Sequence, residues 1–518
     1  MTIFAIGVFM AGLDNGIMSS ALTTLIRSFR VSANWGAWIV TIYTLGLAVS
    51  VPIMAKLSDR FGRKRMFLIS IALFGLGSMS VALSQSFTIL LISRVVQSLG
   101  GGGIFPIASG YIVSTVPTER QGRALGMVGG MNGISAIIGP DIGAGLLSIT
   151  HDWHWLFWVN VPVAIVLIVF GQRGIEKYPV SIRRRLDFGG IVLLSLGVLG
   201  FMYGLTNLKS ANILTGLRAP DVYGYVAGGI VLLVALLLYE GRVDRSGGDS
   251  LVPMSLLRRV ELRWTLAVGF VSGMLLSSVI FLPAYVQTIL GWPSSQAGFW
   301  YTPMALLSGV GAMGGGRFMD RRGPITTLSF GIAVAAVGSL LFPVWVTTTW
   351  QMVIASSLIG LGVGVTLAAP LNFMITEHVP QNKSTALGIL SLVREVGMTL
   401  GPALFAGFLT RAFGQFPTRL AQNLHAAGIS ASQIPASQLS RLQGIESFGN
   451  LTEEIRQIPN LTAQGAILKA IKEVSTVGFN NLFWAALILS LVGLAFVWVA
   501  GRYRSRAMEA RDLTRSGL

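Results

Sequence analysis

Asp14 has the most unusual setting in this sequence. The segment Ala11-Gly12-Leu13-Asp14-Asn15-Gly16-Ile17-Met18 puts one carboxylate near the middle of an apolar stretch running from residue 3 to residue 26. An ionised carboxylate in hydrocarbon is costly unless it is paired or hydrated, so such a group favours reversible protonation. A structural, hydrogen-bonded Asp is the alternative. Arg94 and Gln97 stand three apart in another apolar stretch and share a helical face. Arg394 and Glu395 are adjacent in a third, so they point about 100° apart around a helix. Glu395 is then a second proton- or cation-sensitive group facing a cavity, and Arg394 a contact to a neighbouring bundle; a structural or gating role is the alternative. Asp141 interrupts the run Gly139-Pro140-Asp141-Ile142-Gly143 and either attracts a cation or is solvated. His151 and His154 have no companion ligands, so no metal is expected.

The elements that carry these residues are membrane spans. Of 518 residues, 53% are apolar and 11% charged, a deficit of charge that excludes an ordinary soluble enzyme. Blocks of about twenty apolar residues, each long enough to cross a bilayer as helix, fall at 3–26, 34–55, 66–84, 88–114, 124–149, 155–171, 188–208, 221–239, 262–290, 296–316, 325–346, 350–376, 385–410 and 479–500. These are spans 1 to 14. Cysteine is absent, which excludes disulfides and thiolate chemistry, and 63 glycines suit closely packed helices.

Charge placement orients the spans. Connections after even-numbered spans, with the adjoining span ends and the C-terminal tail, hold 26 Lys and Arg, whereas those after odd-numbered spans hold 10. By the positive-inside rule both termini are cytoplasmic. The net charge of +17 therefore reflects orientation in the membrane, and no nucleic-acid partner is expected.

The sequence repeats itself. Lys56-Leu57-Ser58-Asp59-Arg60-Phe61-Gly62 recurs as Arg317-Phe318-Met319-Asp320-Arg321-Arg322-Gly323, Ala124-Leu125-Gly126 as Ala386-Leu387-Gly388, and Gly139-Pro140 as Gly401-Pro402. A nearly constant offset implies two homologous six-helix bundles, as in secondary transporters. The divisions are 1–172 for the first bundle, 188–240 for an inserted helix pair and 262–501 for the second bundle. An extracytoplasmic segment between the last two helices, 411–475, is expected to carry short surface helices around 420–424 and 467–474. The fold class is thus an all-α polytopic membrane protein.

Ala55 to Arg65 closely resembles the loop between helices 2 and 3 of the major facilitator superfamily, with Ala55 in place of the usual Gly. Leu90 to Gly102 resembles that family's fourth-helix motif, with Ser98 for Gly. Gly139 to Ala144 resembles the helix-5 antiporter motif, with Ala144 for the second Gly. Trp153 to Pro162 looks like the start of helix 6 in the fourteen-span drug:proton antiporter branch, with His154 where Arg is common.

The resemblance implies a major facilitator fold with two six-helix bundles and two inserted helices, which rock between inward- and outward-facing states. It implies proton-coupled export of lipophilic, cationic or zwitterionic drugs from a bacterial inner or plasma membrane. The rivals are a lipid or amphiphile transporter, an uptake symporter and a channel or sensor. Partners are protons, a small lipophilic or amphiphilic substrate and membrane lipids. A monomer without cofactor is expected to suffice.

Asp14 is the leading proton site by this resemblance, tuned by Arg94, with Glu395 and Asp141 as further candidates. Replacing Asp14 by Asn is expected to remove titration and leave folding largely intact. Asp59 and Asp320, with Arg60, Arg321 and the turns at Gly62 and Gly323, are expected to latch the cytoplasmic side. Gly139, Pro140 and Gly143 are expected to give a bent helix in a close interface, and Arg394 is grouped with these gating residues. Met18, Tyr43, Gln97, Phe281, Tyr285, Gln287, Trp300, Tyr301, Met304 and Asn372 are the candidate cargo contacts. Aromatic rings attract lipophilic cations, and thioethers adapt to irregular shapes.

Overall fold

The computed structural model describes residues 1–177, 187–208, 216, 218–246, 248–292, 299–377, 379, 382–428 and 461–515. The first bundle comprises Thr2–Phe29, Ala33–Phe61, Arg63–Ala82, Phe87–Thr115, Thr118–Thr150, and a sixth span formed by Trp155–Trp158 with Asn160–Gly174. Phe188–Thr206 and Pro220–Arg245 form the inserted pair, spans 7 and 8. Span 9 begins as Val260–Ser278 and continues through a 3-10 turn, Val279–Phe281, into Leu282–Thr288. The remaining spans are Thr302–Arg322, Pro324–Val344, Thr349–Ala368 with Pro370–Thr376, Lys383–Phe413, and Leu461–Arg515.

Among the described residues eleven helices are long and apolar enough to cross a membrane, and two bent pairs bring the number to thirteen. The one expected span outside these thirteen, span 10, is Thr302–Arg322 and lies about six residues later than the 296–316 read from the sequence. It is rich in glycine and packs between spans 5 and 12. Its moderate apolarity fits that place, because a helix enclosed by other helices needs close approach more than bulk.

Two small-residue ladders bind spans 1 to 5 and 9 to 13. A Cβ on Gly12 would collide with Ser135 Oγ, one on Gly139 would stand 2.5 Å from the Cα of Gly16, and one on Gly143 would strike Ser20 Oγ. In the second half, Gly273 abuts the Arg394 carbonyl, Gly397 the Phe270 carbonyl and Gly401 the Ser277 hydroxyl. Thus the repeat seen in the sequence extends to which helix faces touch. Span 5 bends by 45° between Ser135 and Ile138. Pro140 supplies the cause, since proline lacks an N–H and its ring crowds the carbonyl four residues earlier. Span 1 bends by 60° between Met18 and Ser20, just beyond Asp14.

Each bundle has its own apolar core, and a further core around Leu194, Val198, Leu266, Leu371 and Leu390 joins the inserted pair to the second bundle. The inserted pair straddles the seam, with span 7 against both span 2 and span 13.

Beyond span 13, helix Phe416–Ala426 lays Phe416, Leu420 and Leu424 against Ala463, Ile467, Ala470, Ile471 and Val474. Helix is present at both places where the sequence indicated it, but the second is not a separate short helix. Leu461–Arg515 runs on without a break into span 14, 55 residues in all or about 80 Å. The middle of 411–475, residues 429–460, lies outside the described residues.

Candidate functional site

Asp14, Arg94 and Gln97 are brought together in the centre of the first bundle, with only 1%, 1% and 0% of their surface exposed. Arg94 Nη1 donates to Asp14 Oδ2 at 2.7 Å and to Gln97 Oε1 at 2.7 Å. Gln97 Nε2 donates to Asp14 Oδ1 at 2.7 Å and to Ser78 Oγ at 2.8 Å. Arg94 Nε donates to the Ile39 carbonyl at 3.3 Å, and the guanidinium lies 4.0 Å from the Tyr43 ring centre and 5.9 Å from that of Phe157. Asn160 Nδ2 donates to Ser78 Oγ at 3.4 Å.

The network around this one carboxylate, continued through Arg94, Gln97 and Ser78, therefore links spans 1, 2, 3, 4 and 6. Gly77 makes this possible, because a Cβ there would stand 2.5 Å from the Gln97 Cα and push spans 3 and 4 apart. Both carboxylate oxygens are engaged, Oδ2 by Arg94 and Oδ1 by Gln97. Chemically the site is a buried, hydrogen-bonded charge pair.

A second set of contacts lies at one end of the molecule, the basic end, where spans 2 and 3 and spans 10 and 11 join. Gly62 and Gly323 turn the chain there with φ of +96° and +81°, a region that disfavours side chains. Asp59 Oδ2 accepts the N–H of Thr385 at 2.8 Å and its hydroxyl at 3.0 Å, and Oδ1 accepts the N–H of Ser384 at 3.3 Å. Arg63 Nη2 donates to Asp59 Oδ1 at 2.8 Å, and its Nε donates to Ser384 Oγ at 3.0 Å. Asp59 thus caps the start of span 13 in the opposite bundle, where free N–H groups and the helix dipole favour an anion. Asp320 Oδ1 and Oδ2 accept the N–H groups of Gly122 and Arg123 at 2.8 and 3.0 Å, in the first turns of span 5. The two aspartates clamp the halves reciprocally. Arg60 lies 5.2 Å from the Phe61 ring centre, and Arg321 is exposed.

Arg394 reaches across the seam, 5.6 Å from the ring centre of Phe105 in span 4, while Glu395 is half-buried on span 13. Asp141 is exposed.

The expected cargo contacts do not form one surface. Met18 is buried among Ile17, Leu25 and Trp153, and Tyr43 lies against Arg94. Gln97 is taken up by Asp14 and Ser78. Tyr285 is enclosed by Phe342, Phe479 and Phe483 and donates to the Val346 carbonyl at 3.4 Å, so it is core and not lining here. Met304 is buried beside Gly360, and Asn372 is buried too. Trp300 meets Trp292 at a tilt and Trp350 edge-on, away from the basic end. Phe281, Gln287 and Tyr301 are half-buried.

Several partners were not singled out from the sequence: Ser78 below Gln97, Arg63 and Thr385 beside Asp59, and the Arg504–Glu377 pair at 2.8 Å that joins spans 14 and 12. Arg63 alone carried a local signal, four residues from Asp59.

The family model for the Major Facilitator Superfamily matches residues 4–402. The chain is 48% identical over 512 residues to the uncharacterised MFS-type transporter YfiU of Bacillus subtilis, covering 98% of this chain and 97% of that protein. It is 26% identical to multidrug resistance protein 3 of Bacillus subtilis, covering 96% of this chain and 94% of that protein. It is 30% identical to the putative multidrug resistance protein MdtD of Escherichia coli, covering 80% and 86%. Among solved structures, the human organic anion transporter MFSD10 superposes with a TM-score of 0.60 at 14% identity, covering 94% of this chain and 98% of that one. The proton:xylose symporter XylE superposes with a TM-score of 0.57 at 12% identity, covering 96% and 94%. With its helical architecture, its repeated halves and its clamped loops, this multi-pass membrane protein belongs to the major facilitator superfamily of transporters.

Proposed function

We propose that the protein is a proton-coupled exporter of lipophilic, cationic or zwitterionic compounds, acting as a monomer in a bacterial inner or plasma membrane. In this reading the basic end and both termini are cytoplasmic. The observation that carries it is the Asp14 carboxylate, buried and held by Arg94 and Gln97. The multidrug resistance names of two relatives support the cargo class.

A proton arriving from outside neutralises Asp14 and removes its attraction for Arg94, which loosens span 1 from span 4. Rocking then opens the Asp59 and Asp320 clamps, the proton leaves to the cytoplasm, and the pair re-forms. Each charge crossing 100 mV supplies about 2.3 kcal/mol, so no nucleotide is required.

The test is purified protein in vesicles, with ΔpH and voltage imposed separately and several unrelated cationic dyes as cargo. Dye accumulation driven by ΔpH is expected. Dye movement that is indifferent to both gradients would refute the coupling.

One observation favours amphiphile or lipid movement as a second reading. A cavity of about 240 Å³ between the inserted pair and the second bundle is lined only by apolar side chains. Translocation of labelled phospholipid without dye transport would support it.

A further inference from the structure

The inserted helix pair is held to the two bundles by different kinds of contact. Towards the first bundle, beside apolar packing on Leu45 and Ala48 of span 2, it makes directional polar and aromatic contacts. Lys56 Nζ donates to Asp249 Oδ1 at 2.6 Å, and the two side chains are only 6% and 8% exposed. Asp249 lies in the strap that follows span 8. Glu240, on span 8 and fully buried, accepts the Leu251 N–H on both oxygens, at 3.1 and 3.0 Å. Asp244 accepts the Met254 N–H at 2.7 Å and is hydrogen-bonded to the Ser250 hydroxyl. The strap is therefore pinned to span 8 by two carboxylates and to span 2 by one buried lysine. At the other end of the same helices, Trp38 of span 2 stacks on Tyr203 of span 7 with ring centres 5.7 Å apart. Tyr203 in turn meets Tyr225 of span 8 edge-on at 4.7 Å.

Towards the second bundle the inserted pair presents apolar side chains: Leu194, Val198 and Met202 share a core with Leu266, Leu371 and Leu390, and Val198, Phe201 and Leu233 line an apolar cavity with Phe270, Leu392 and Val396. Nothing in that lining fixes a register. A buried ion pair and a ring stack are lost if one partner moves away, whereas apolar burial is non-directional and survives a shift of one face along the other.

We infer that the inserted pair is fastened to the first bundle at both ends, through Lys56–Asp249 and Trp38–Tyr203, and slides against the second bundle as the halves rock. Lys56 lies three residues before Asp59 and shares its helix face, so it is a positioning residue: the strap braces the helix end that carries the clamp. The inference rests on the alternating-access reading above.

The absence of cysteine allows clean spin-label pairs at three exposed positions of the basic end: Ser246 on the strap, Thr118 in the first bundle and Thr326 in the second. Distances are compared between the full-length protein and its Asp59→Ala/Asp320→Ala variant. The expected result is a changed Thr118–Thr326 distance, a changed Ser246–Thr326 distance and an unchanged Ser246–Thr118 distance. A changed Ser246–Thr118 distance with a fixed Ser246–Thr326 distance would overturn the inference. A fixed Thr118–Thr326 distance would mean that the clamp reading has failed, and the fastening is then decided by a second arm. Lys56→Met strands Asp249 in a buried place and is expected to broaden the Ser246–Thr118 distribution at least about twofold. Lys56→Arg is expected to keep it narrow. No broadening in Lys56→Met overturns the inference whatever the clamp does.

Discussion

Asp59 accepts both the backbone N–H and the hydroxyl of Thr385, at 2.8 and 3.0 Å, across the seam between the two halves. Asp320 does the same work from the other side on the N–H groups of Gly122 and Arg123. The two halves thus close one end of the protein with the same device used twice, a carboxylate from the last turn of one helix on backbone N–H groups near the start of a helix in the other half.

Removing an anionic acceptor from these N–H groups forfeits hydrogen bonds of roughly 1.5–3 kcal/mol each. Asp59→Ala is expected to shift the population towards opening of the basic end at least about tenfold, the change that about 1.4 kcal/mol produces. Asp59→Asn keeps an acceptor oxygen and is expected to shift it less. Thr385→Val removes only the hydroxyl and is expected to shift it least. Pulsed spin-label distances between the two halves measure the order, and an order other than Ala, Asn, Val argues against the cap geometry.

Replacing Asp14 by Asn leaves the Arg94 guanidinium buried without its counter-charge, a loss on the order of 3–5 kcal/mol. This alters the expectation from sequence that folding would be largely spared. Asp14→Asn is expected to lower the thermal midpoint and abolish ΔpH-driven accumulation. Adding Arg94→Met is expected to recover most of the midpoint and none of the coupling. A double variant that accumulates cargo on ΔpH like the wild type eliminates Asp14 as the essential proton carrier.

Gly139 stands where a Cβ would come within 2.5 Å of the Gly16 Cα. Gly139→Val is expected to force spans 1 and 5 apart at their bends and to cut transport by tenfold or more, because an overpacked contact of this kind costs about 1–3 kcal/mol. Gly145→Val, on the same helix with open space around it, is expected to be tolerated. Equal losses in the two variants would mean that the ladder is not the cause.

Single cysteines at Thr118 and Gln422, both exposed, test the orientation. Opposite-side labelling by an impermeant thiol reagent is expected, with Thr118 reacting from the cytoplasm. Labelling from the same side would reject the topology.

The span count, the twofold repeat and the glycine turns at Gly62 and Gly323 were legible from the sequence because each is a local or periodic property. Twenty apolar residues specify a spanning helix, and recurrence at a constant offset specifies a second bundle. The buried setting of Asp14 was equally legible, since a lone charge in an apolar run stands out. Which faces meet was not. In a soluble helix the polar face marks the outside, but a membrane helix is apolar towards both its neighbours and the lipid, so its rotation about its own axis leaves little trace in composition. That is why Tyr285 reads as a cargo ligand in the sequence and lies in an aromatic core in the fold. Asp59 meeting Thr385 and Lys56 meeting Asp249 were likewise decided by tertiary structure alone, because each pair joins distant parts of the chain through helix packing that no local spacing records.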